Sequence, residues 1–120
     1  MSEPKVFPSE YRFCEILWEN EPINSTKLMK ICRERLGWSK ATTYTVIRRL
    51  SERGIIRNEN TIVTSIRSRT EVRAAEADEV VERTFAGSLP AFIAAFTTRK
   101  QLSEEEIEEI RRLIDKKDQE

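Results

Sequence analysis

Apolar residues recur at helical spacing in three segments of the N-terminal half of the chain. These segments lie at about residues 9–20, 25–36 and 40–53, and polar residues occupy their opposite faces. Candidate caps precede the segments, and proline or glycine follows each one, as is usual at helix ends. The caps are Ser9, Asn24 or Ser25, and Ser39, and the terminators are Pro22, Gly37 and Gly54. The pattern therefore predicts three short consecutive helices.

The pattern of residues changes after Gly54. Two runs rich in β-branched residues, at 55–57 and 61–66, flank the triplet Asn58-Glu59-Asn60, which is typical of a turn. We therefore predict a two-stranded hairpin. So small a hairpin needs the helices to pack against it.

Helical spacing returns after residue 70 and continues in three further segments. A fourth helix is predicted over residues 71–86, where Gly87-Ser88 interrupts it. Pro90 suits the first turn of a fifth helix. Ser103 and Glu106 have the spacing of a capping box, which predicts the start of a sixth helix.

Three helices, a hairpin and three more helices are typical of a mostly α, α+β winged-helix protein. We predict a winged helix-turn-helix in residues 1–69 and a three-helix dimerisation arm in residues 70–120. The arm carries narrow apolar stripes and no large core of its own, so we expect these stripes to be buried against a second copy of the chain. The residues expected between the copies are Val81, Phe85, Leu89, Phe92, Ile93, Phe96, Ile107, Ile110 and Ile114.

The charge is divided along the chain. The 120 residues include 21 basic and 21 acidic ones, yet residues 1–73 carry a net charge of +5 and residues 74–120 a net charge of −5. The basic part suits a polyanion and the acidic part suits self-association. A chance fluctuation in composition is the alternative.

The composition excludes several classes of function. Histidine is absent and glycine occurs three times, so we predict no catalytic histidine, no phosphate-cradling loop, no cofactor and no metal site. No secretory signal or membrane span is recognisable, which favours a cytoplasmic protein. Cys14 and Cys32 lie on apolar stripes, which indicates buried structural thiols, with a thiol sensor as the alternative.

The third helix of a helix-turn-helix enters the major groove of DNA. Base or phosphate contacts are expected from its polar residues, and phosphate contacts from basic residues of the hairpin, the wing. The candidates are Lys40, Thr42, Thr43, Thr45 and Arg49 on the helix, with Tyr44 as a further one, and Arg57 and Arg67 in the predicted strands. A solvated helix face and edge charges that discourage aggregation are the alternatives.

One stretch carries a family resemblance: Trp38-Ser39-x-x-Thr42-x-x-Thr45-x-x-x-Arg49-Leu50-x-x-x-Gly54. Glu15-x-x-Trp18, Gly87 and Gln101-Leu102-Ser103 extend it. In these residues the chain resembles the penicillinase repressors of the BlaI/MecI type, a group that includes the copper-responsive CopY-type repressors. The resemblance covers about residues 9–117.

The resemblance implies a homodimeric repressor of transcription that binds a palindromic operator, with the two arms intertwined. It also implies inactivation by proteolysis within the arm, triggered by a membrane-bound β-lactam receptor. The segment that aligns with the cleavage point is Ala94-Ala95-Phe96, so the cleaved bond is expected between Ala95 and Phe96.

The chain also departs from the family pattern. The best-known members have Asn at the position of Ala95 and Pro-Lys at the position of Lys40-Ala41. The wing loop at Asn58–Asn60 is shorter and less basic than usual. No cysteine follows Cys32, which argues against the copper site of the CopY branch.

Two other classes of function remain as alternatives to a DNA-binding repressor. Winged helices also serve as protein-interaction modules without DNA binding. Such a module is expected to expose apolar residues on the third helix, where this chain places polar and basic ones. A small enzyme is the other alternative, with Cys14 and Cys32 as the available nucleophiles.

Overall fold

The computed structural model describes residues 4–118 and has a mostly helical α+β fold. The predicted fold class is confirmed: three helices and a small antiparallel sheet precede three further helices. The helices are α1 (Pro8–Asn20), α2 (Ser25–Leu36), α3 (Lys40–Glu52), α4 (Arg69–Phe85), α5 (Leu89–Arg99) and α6 (Glu104–Asp118); the strands are β1 (Ile23–Asn24), β2 (Ile56–Glu59) and β3 (Ile62–Ser65). The chain divides into two compact units, one ending at Glu79 and the other beginning at Val80.

Most of the predicted helix ends are confirmed. The Asn24 side chain accepts a hydrogen bond from the backbone N–H of Thr26 at 2.8 Å, which caps α2. Gly37 follows α2 with a φ of +70°, a left-handed conformation that glycine adopts without strain. The predicted cap of α1 was wrong by two residues. Phe7 is the N-cap, and its N–H donates to the Glu10 carboxylate at 2.9 Å.

The sheet has three strands in the order β1-β3-β2, all antiparallel. Strands β2 and β3 were predicted as one hairpin, but β1 was not predicted. It consists of two residues, Ile23 and Asn24, paired with Val63 and Ile62 of β3. The N–H of Ser25 also donates to the Thr61 carbonyl at 2.8 Å. The start of α2 is therefore hydrogen-bonded to the wing.

The wing turn was predicted at Asn58-Glu59-Asn60, and two of these three residues are wrong. Asn58 and Glu59 belong to β2 and pair with Val63 and Ile62. The turn residues are Asn60 and Thr61, with φ values of +53° and +65°. Two positive φ values in a two-residue loop are the geometry that matches the twist of a hairpin.

The core of the N-terminal unit lies between its helices and the inner face of the sheet. Its largest fully buried apolar side chains come from the three helices, from β2 and β3, and from the residue just before β2. They are Phe13, Ile16, Leu17, Leu28, Leu50, Ile55, Ile56 and Val63. Trp38 stacks on Phe13 with ring centroids 6.2 Å apart, and Trp18 packs at the edge of the core.

Local signals set the bounds of the last three helices. Helix α4 begins two residues before its predicted start. The Ser88 hydroxyl accepts from the Ala91 N–H at 3.1 Å and caps α5. Ser103 and Glu106 form the predicted capping box: the Glu106 N–H donates to the Ser103 hydroxyl at 3.1 Å, and the Ser103 N–H donates to the Glu106 carboxylate at 3.2 Å.

Candidate nucleic-acid interface

Helix α3 presents one apolar face to the core and one polar face to solvent. Its start is fixed because the Ser39 hydroxyl accepts from the Thr42 N–H at 3.1 Å. Val46, Ile47 and Leu50 are buried against the core. Six other side chains of the helix, which we call the α3 face, are at least partly exposed: Lys40, Thr42, Tyr44, Thr45, Arg48 and Arg49.

The three threonines of α3 have different environments. Thr42 is exposed and Thr45 is partly exposed, so both belong to the α3 face. Thr43 is fully buried, and its hydroxyl donates to the Ser39 carbonyl at 3.1 Å. Its position, between those of Ile47 and Leu50 around the helix, turns its side chain into the core. Thr43, named above as a DNA-contact candidate, therefore has no accessible surface for DNA.

Sequence reasoning missed Arg48. It lies at the centre of the exposed side of α3, three residues after Thr45 and four after Tyr44. Its guanidinium donates to the Glu52 carboxylate at 3.2 Å, an i,i+4 pair in which both side chains are well exposed. Position 48 lies on the side of the helix opposite Val46, Ile47 and Leu50, and this spacing in the sequence could have identified Arg48.

The C-terminal end of α3 is fixed to the start of α1. Arg53, the C-cap residue of α3, pairs with the nearly buried carboxylate of Glu10. The Arg53 guanidinium also lies 5.4 Å from the centre of the Phe7 ring. This basic residue follows the candidate recognition helix, but its charge is already neutralised within the protein.

The wing places its two candidate arginines in different settings. Arg57 lies on β2, well exposed, 3.5 Å from the Glu59 carboxylate. Arg67 was predicted to lie in a strand, but β3 ends at Ser65. Its guanidinium donates to Glu71 at 3.0 Å. Hydrogen bonding from the Ser68 backbone and the Arg67 guanidinium holds the pKa of Glu71 below its usual value.

Two hydrogen-bond contacts fix the base of the wing. The Glu21 carboxylate accepts from the N–H of Ser65 at 2.7 Å and from its hydroxyl at 2.8 Å. The indole N–H of Trp18 donates to the Arg67 carbonyl at 3.0 Å. Both contacts join α1 to the end of the hairpin, so α1 serves as the support on which the wing is held.

The C-terminal unit exposes most of its apolar side chains. Phe85 and Phe92 pack edge-to-face with ring centroids 5.5 Å apart, and both are half-buried, as is Val81. The other predicted interface residues, Leu89, Ile93, Phe96, Ile107, Ile110 and Ile114, are exposed. Leu113, which the predicted interface did not include, is exposed as well. Ala95 and Phe96, the candidate cleavage point, lie within α5 and are also exposed.

The two cysteines are buried thiols. Burial raises the pKa of Cys14 to about 12 and that of Cys32 to about 11. Glu10 adds to the shift at Cys14, because a nearby carboxylate disfavours a thiolate. Neutral buried thiols are poor nucleophiles, so neither cysteine has the environment of a reactive residue.

Within residues 4–118 no helix is both long enough and apolar enough to span a membrane.

The model of the penicillinase repressor family matches residues 8–116. The methicillin resistance regulatory protein MecI of Staphylococcus aureus (strain Mu50 / ATCC 700699) is 23% identical, over 94% of this chain and 95% of its own length. MecI of Mammaliicoccus sciuri is 22% identical over the same shares. The penicillinase repressor of Bacillus licheniformis is 22% identical, over 93% of this chain and 91% of its own length.

The family match covers nearly the whole chain, winged helix and C-terminal helices alike. Its members repress transcription by binding DNA and are not enzymes. The chain belongs to the penicillinase repressor family of winged-helix, DNA-binding transcriptional repressors.

Proposed function

We propose that this repressor binds a palindromic operator as a homodimer, with α3 in the major groove and the wing on the flanking phosphates. The observation that carries the proposal is the α3 face. It combines two accessible threonines with Lys40 and Arg49 on a helix whose N-terminal end is fixed by its cap. Threonine contacts thymine methyl groups or bases, and basic side chains contact guanine or phosphate.

The C-terminal helices supply the contact between the two copies. One chain leaves Leu89, Ile93 and Phe96 of α5 exposed, together with the apolar stripe of α6. Exposed apolar surface of this extent marks an interaction site. A two-fold symmetric dimer carries two α3 helices related by the same axis, which is why the operator is expected to be palindromic.

Derepression is proposed to follow cleavage of the bond between Ala95 and Phe96 by a protease that a membrane sensor activates. The names of the MecI relatives refer to methicillin resistance, and a β-lactam is the corresponding inducing signal for this chain. The bond lies in the middle of α5, so a protease reaches it only after local unfolding of that helix. Loss of the arm would then separate the two DNA-binding units.

A mobility-shift titration tests the DNA-binding part of this proposal. The probes are the intergenic DNA upstream of the repressor's own gene and an unrelated duplex of equal length, each at two salt concentrations. We expect tight binding to the first probe only, and weaker binding at higher salt because phosphate contacts release counterions. Equal binding to both probes, or binding to neither, contradicts operator recognition by the α3 face.

The proteolytic part needs its own test. Cells that express the repressor are exposed to a β-lactam, and its fragments are identified by mass spectrometry. A new C-terminus at Ala95 that does not form in an Ala95→Pro variant supports cleavage at this bond. A repressor that stays intact while its target gene is induced contradicts it.

A further inference from the structure

Arg48 and Glu52 form an ion pair on the side of α3 that lies farthest from the core. The guanidinium donates to the carboxylate at 3.2 Å, and the two side chains are 63% and 62% exposed. Helical spacing places both residues in one row with Ala41 and Thr45, because each member follows the one before it by three or four positions. This row, which we call the outer row, points directly away from the buried side of the helix.

The ion pair is a poor stabiliser of the helix. An exposed i,i+4 pair contributes little to stability, and it contributes more when the acidic residue comes first, whereas here the arginine comes first. Glu52 is also the last residue of α3, where a negative charge opposes the helix dipole. Helix stability therefore does not account for this carboxylate.

Attraction to phosphate does not account for the carboxylate either. Glu52 is the one acidic residue of α3, and it neutralises the arginine beside it. On a surface that meets DNA, a carboxylate repels the phosphates. Lys40 and Arg49 lie on the two flanks of the outer row and supply the positive charge that phosphates attract. The outer row itself faces the floor of the groove, where the base edges lie.

The hydrogen-bonding groups of the pair match the edge of one kind of base pair. In the major groove a G·C pair presents two acceptors, N7 and O6 of guanine, followed by a donor, the N4 amino group of cytosine. A guanidinium donates to both guanine atoms, and a carboxylate accepts from the cytosine. We propose that Arg48 and Glu52 together read a G·C base pair in each operator half-site. An A·T pair presents an acceptor, a donor and an acceptor, so it does not match.

Glu52 also keeps Arg48 from binding phosphate. A free arginine at this position binds the backbone of any DNA, which raises affinity without selectivity. The carboxylate repels phosphates, but it gains a donor when the guanidinium meets guanine, because the paired cytosine lies beside it. The inference rests on operator binding through α3, as proposed above, and adds the base pair that two named residues recognise.

Selection from a random DNA library tests the role of Arg48. The full-length natural protein, Arg48→Ala and Arg48→Lys each select duplexes, and the bound fractions are sequenced. We expect the natural protein to require G·C at one position of each half-site, by about 5- to 150-fold over other base pairs. Both variants are expected to lose the preference at that position only, because lysine keeps the charge but lacks the two-pronged guanidinium. Arg12→Ala, on the exposed side of α1, is the control and should keep it.

The selection separates two failures. An operator with no position that depends on Arg48 overturns the inference and leaves the proposed function intact. A natural protein that enriches no sequence overturns operator binding itself. A preference that survives in Arg48→Lys shows that charge alone is read, which also contradicts the inference.

Glu52→Ala tests the carboxylate. Fluorescence anisotropy measures binding to the selected operator and to a scrambled duplex at four salt concentrations. We expect binding to the scrambled duplex to rise about threefold or more, with a slope against log salt that is steeper by about one, because the released Arg48 joins the phosphates. The ratio of the two affinities is expected to fall by about fivefold or more. Glu19→Ala, which breaks the exposed pair with Arg35, should leave the ratio unchanged. An unchanged ratio in Glu52→Ala as well would show an ordinary surface charge and overturn its role.

A base analogue tests the contact without altering the protein. 7-Deazaguanine lacks the N7 acceptor and retains base pairing and phosphates, and it replaces guanine at the selected position. The natural protein is expected to bind this operator about fivefold or more weakly, whereas Arg48→Ala should bind both operators equally. Equal losses in the two proteins, or no loss in the natural one, overturn the contact between Arg48 and guanine.

Discussion

The Arg53 guanidinium pairs with the Glu10 carboxylate although 43 positions separate them in the sequence. Glu10 lies in the first turn of α1 and Arg53 caps the end of α3. The same carboxylate accepts the N–H of Phe7, the N-cap of α1. One nearly buried side chain therefore begins one helix and holds the end of another.

Replacing Glu10 with Ala is expected to lower the free energy of unfolding by about 1–2 kcal/mol, since it removes both a helix cap and an ion-pair partner. The loss stays moderate because Arg53 is one third exposed and is hydrated once it is released. Urea denaturation measures the change. Glu19→Ala is the matched control, because Glu19 pairs with Arg35 on the open surface, and it is expected to cost less than about 0.5 kcal/mol. Equal losses in the two variants would contradict the structural role of Glu10.

The wing turn offers a stabilising substitution. Thr61 has a φ of +65°, which is unfavourable for a β-branched residue, and it follows Asn60 in a two-residue loop. Thr61→Gly creates the Asn-Gly pair that this loop geometry favours, and we expect the free energy of unfolding to rise by about 0.5–1 kcal/mol. The Thr61 carbonyl, which accepts from Ser25, is retained. Thr64→Gly, which lies in regular β3, must instead destabilise the protein.

The buried thiols predict a loss of stability in alkali. Burial raises the pKa of Cys14 to about 12 and that of Cys32 to about 11, against an ordinary value of 9.0. The unfolded chain therefore releases these protons first, and the free energy of unfolding falls as the pH rises from 9 toward 11. The expected loss is on the order of 1 kcal/mol per thiol.

The measurement for the thiols compares urea denaturation at pH 8 and pH 10.5. The Cys14→Ala/Cys32→Ala double variant has no thiols to titrate, so we expect it to lose less stability between the two pH values than the natural protein. Its stability at pH 8 is lower than that of the natural protein, because the smaller side chains leave cavities in the core. At pH 8 the native protein should resist a thiol reagent that labels both cysteines in denaturant. Rapid labelling of the native protein would contradict the burial.

The α3 face predicts the effect of single substitutions on DNA binding. Arg49→Ala is expected to weaken operator binding by about tenfold or more, and to reduce the slope of log affinity against log salt by about one if Arg49 contacts phosphate. Arg12→Ala, on the exposed side of α1, is the control and should leave both quantities unchanged. The readout is fluorescence anisotropy at four salt concentrations. Identical losses in the two variants would show a general charge effect instead of a specific contact.

A separate prediction concerns Thr43. Thr43→Val removes the hydroxyl that bonds the Ser39 carbonyl in the core and leaves the α3 face untouched. We expect unchanged operator affinity with a loss of stability of about 1 kcal/mol. Thr42 is one residue earlier and exposed, so Thr42→Val is expected to weaken operator binding and to leave the stability unchanged. If the Thr43→Val protein folds but binds the operator more weakly, Thr43 contacts DNA and the prediction is wrong.

Local signals in the sequence were sufficient for most of the fold. Asn24 and Ser39 cap the helices that they precede, and Gly37 ends α2, because caps depend on a few adjacent residues. Strand β1 escaped prediction because Ile23 is a strand residue only through its pairing with Val63, 40 positions away. The pair of Glu10 and Arg53 is equally non-local.

The candidate interface was predictable in outline but not residue by residue. Composition and spacing pointed to α3, yet a residue type does not reveal which side of a helix it occupies. Thr43 and Arg48 exchange roles for this reason: the core on one side of α3 buries the threonine and leaves the arginine in solvent. The exposed state of Leu113 depends likewise on the packing of the arm.

The bond from the Ser25 N–H to the Thr61 carbonyl limits how the wing can vary in length. Val63 is buried, so a shift of β3 by one residue would turn it outward and also unpair β1. Added residues are therefore tolerated at one place, between Asn60 and Thr61, where the loop lengthens without disturbing either strand. A longer, more basic tip grafted there would extend the reach of the protein along DNA while its helices kept their places.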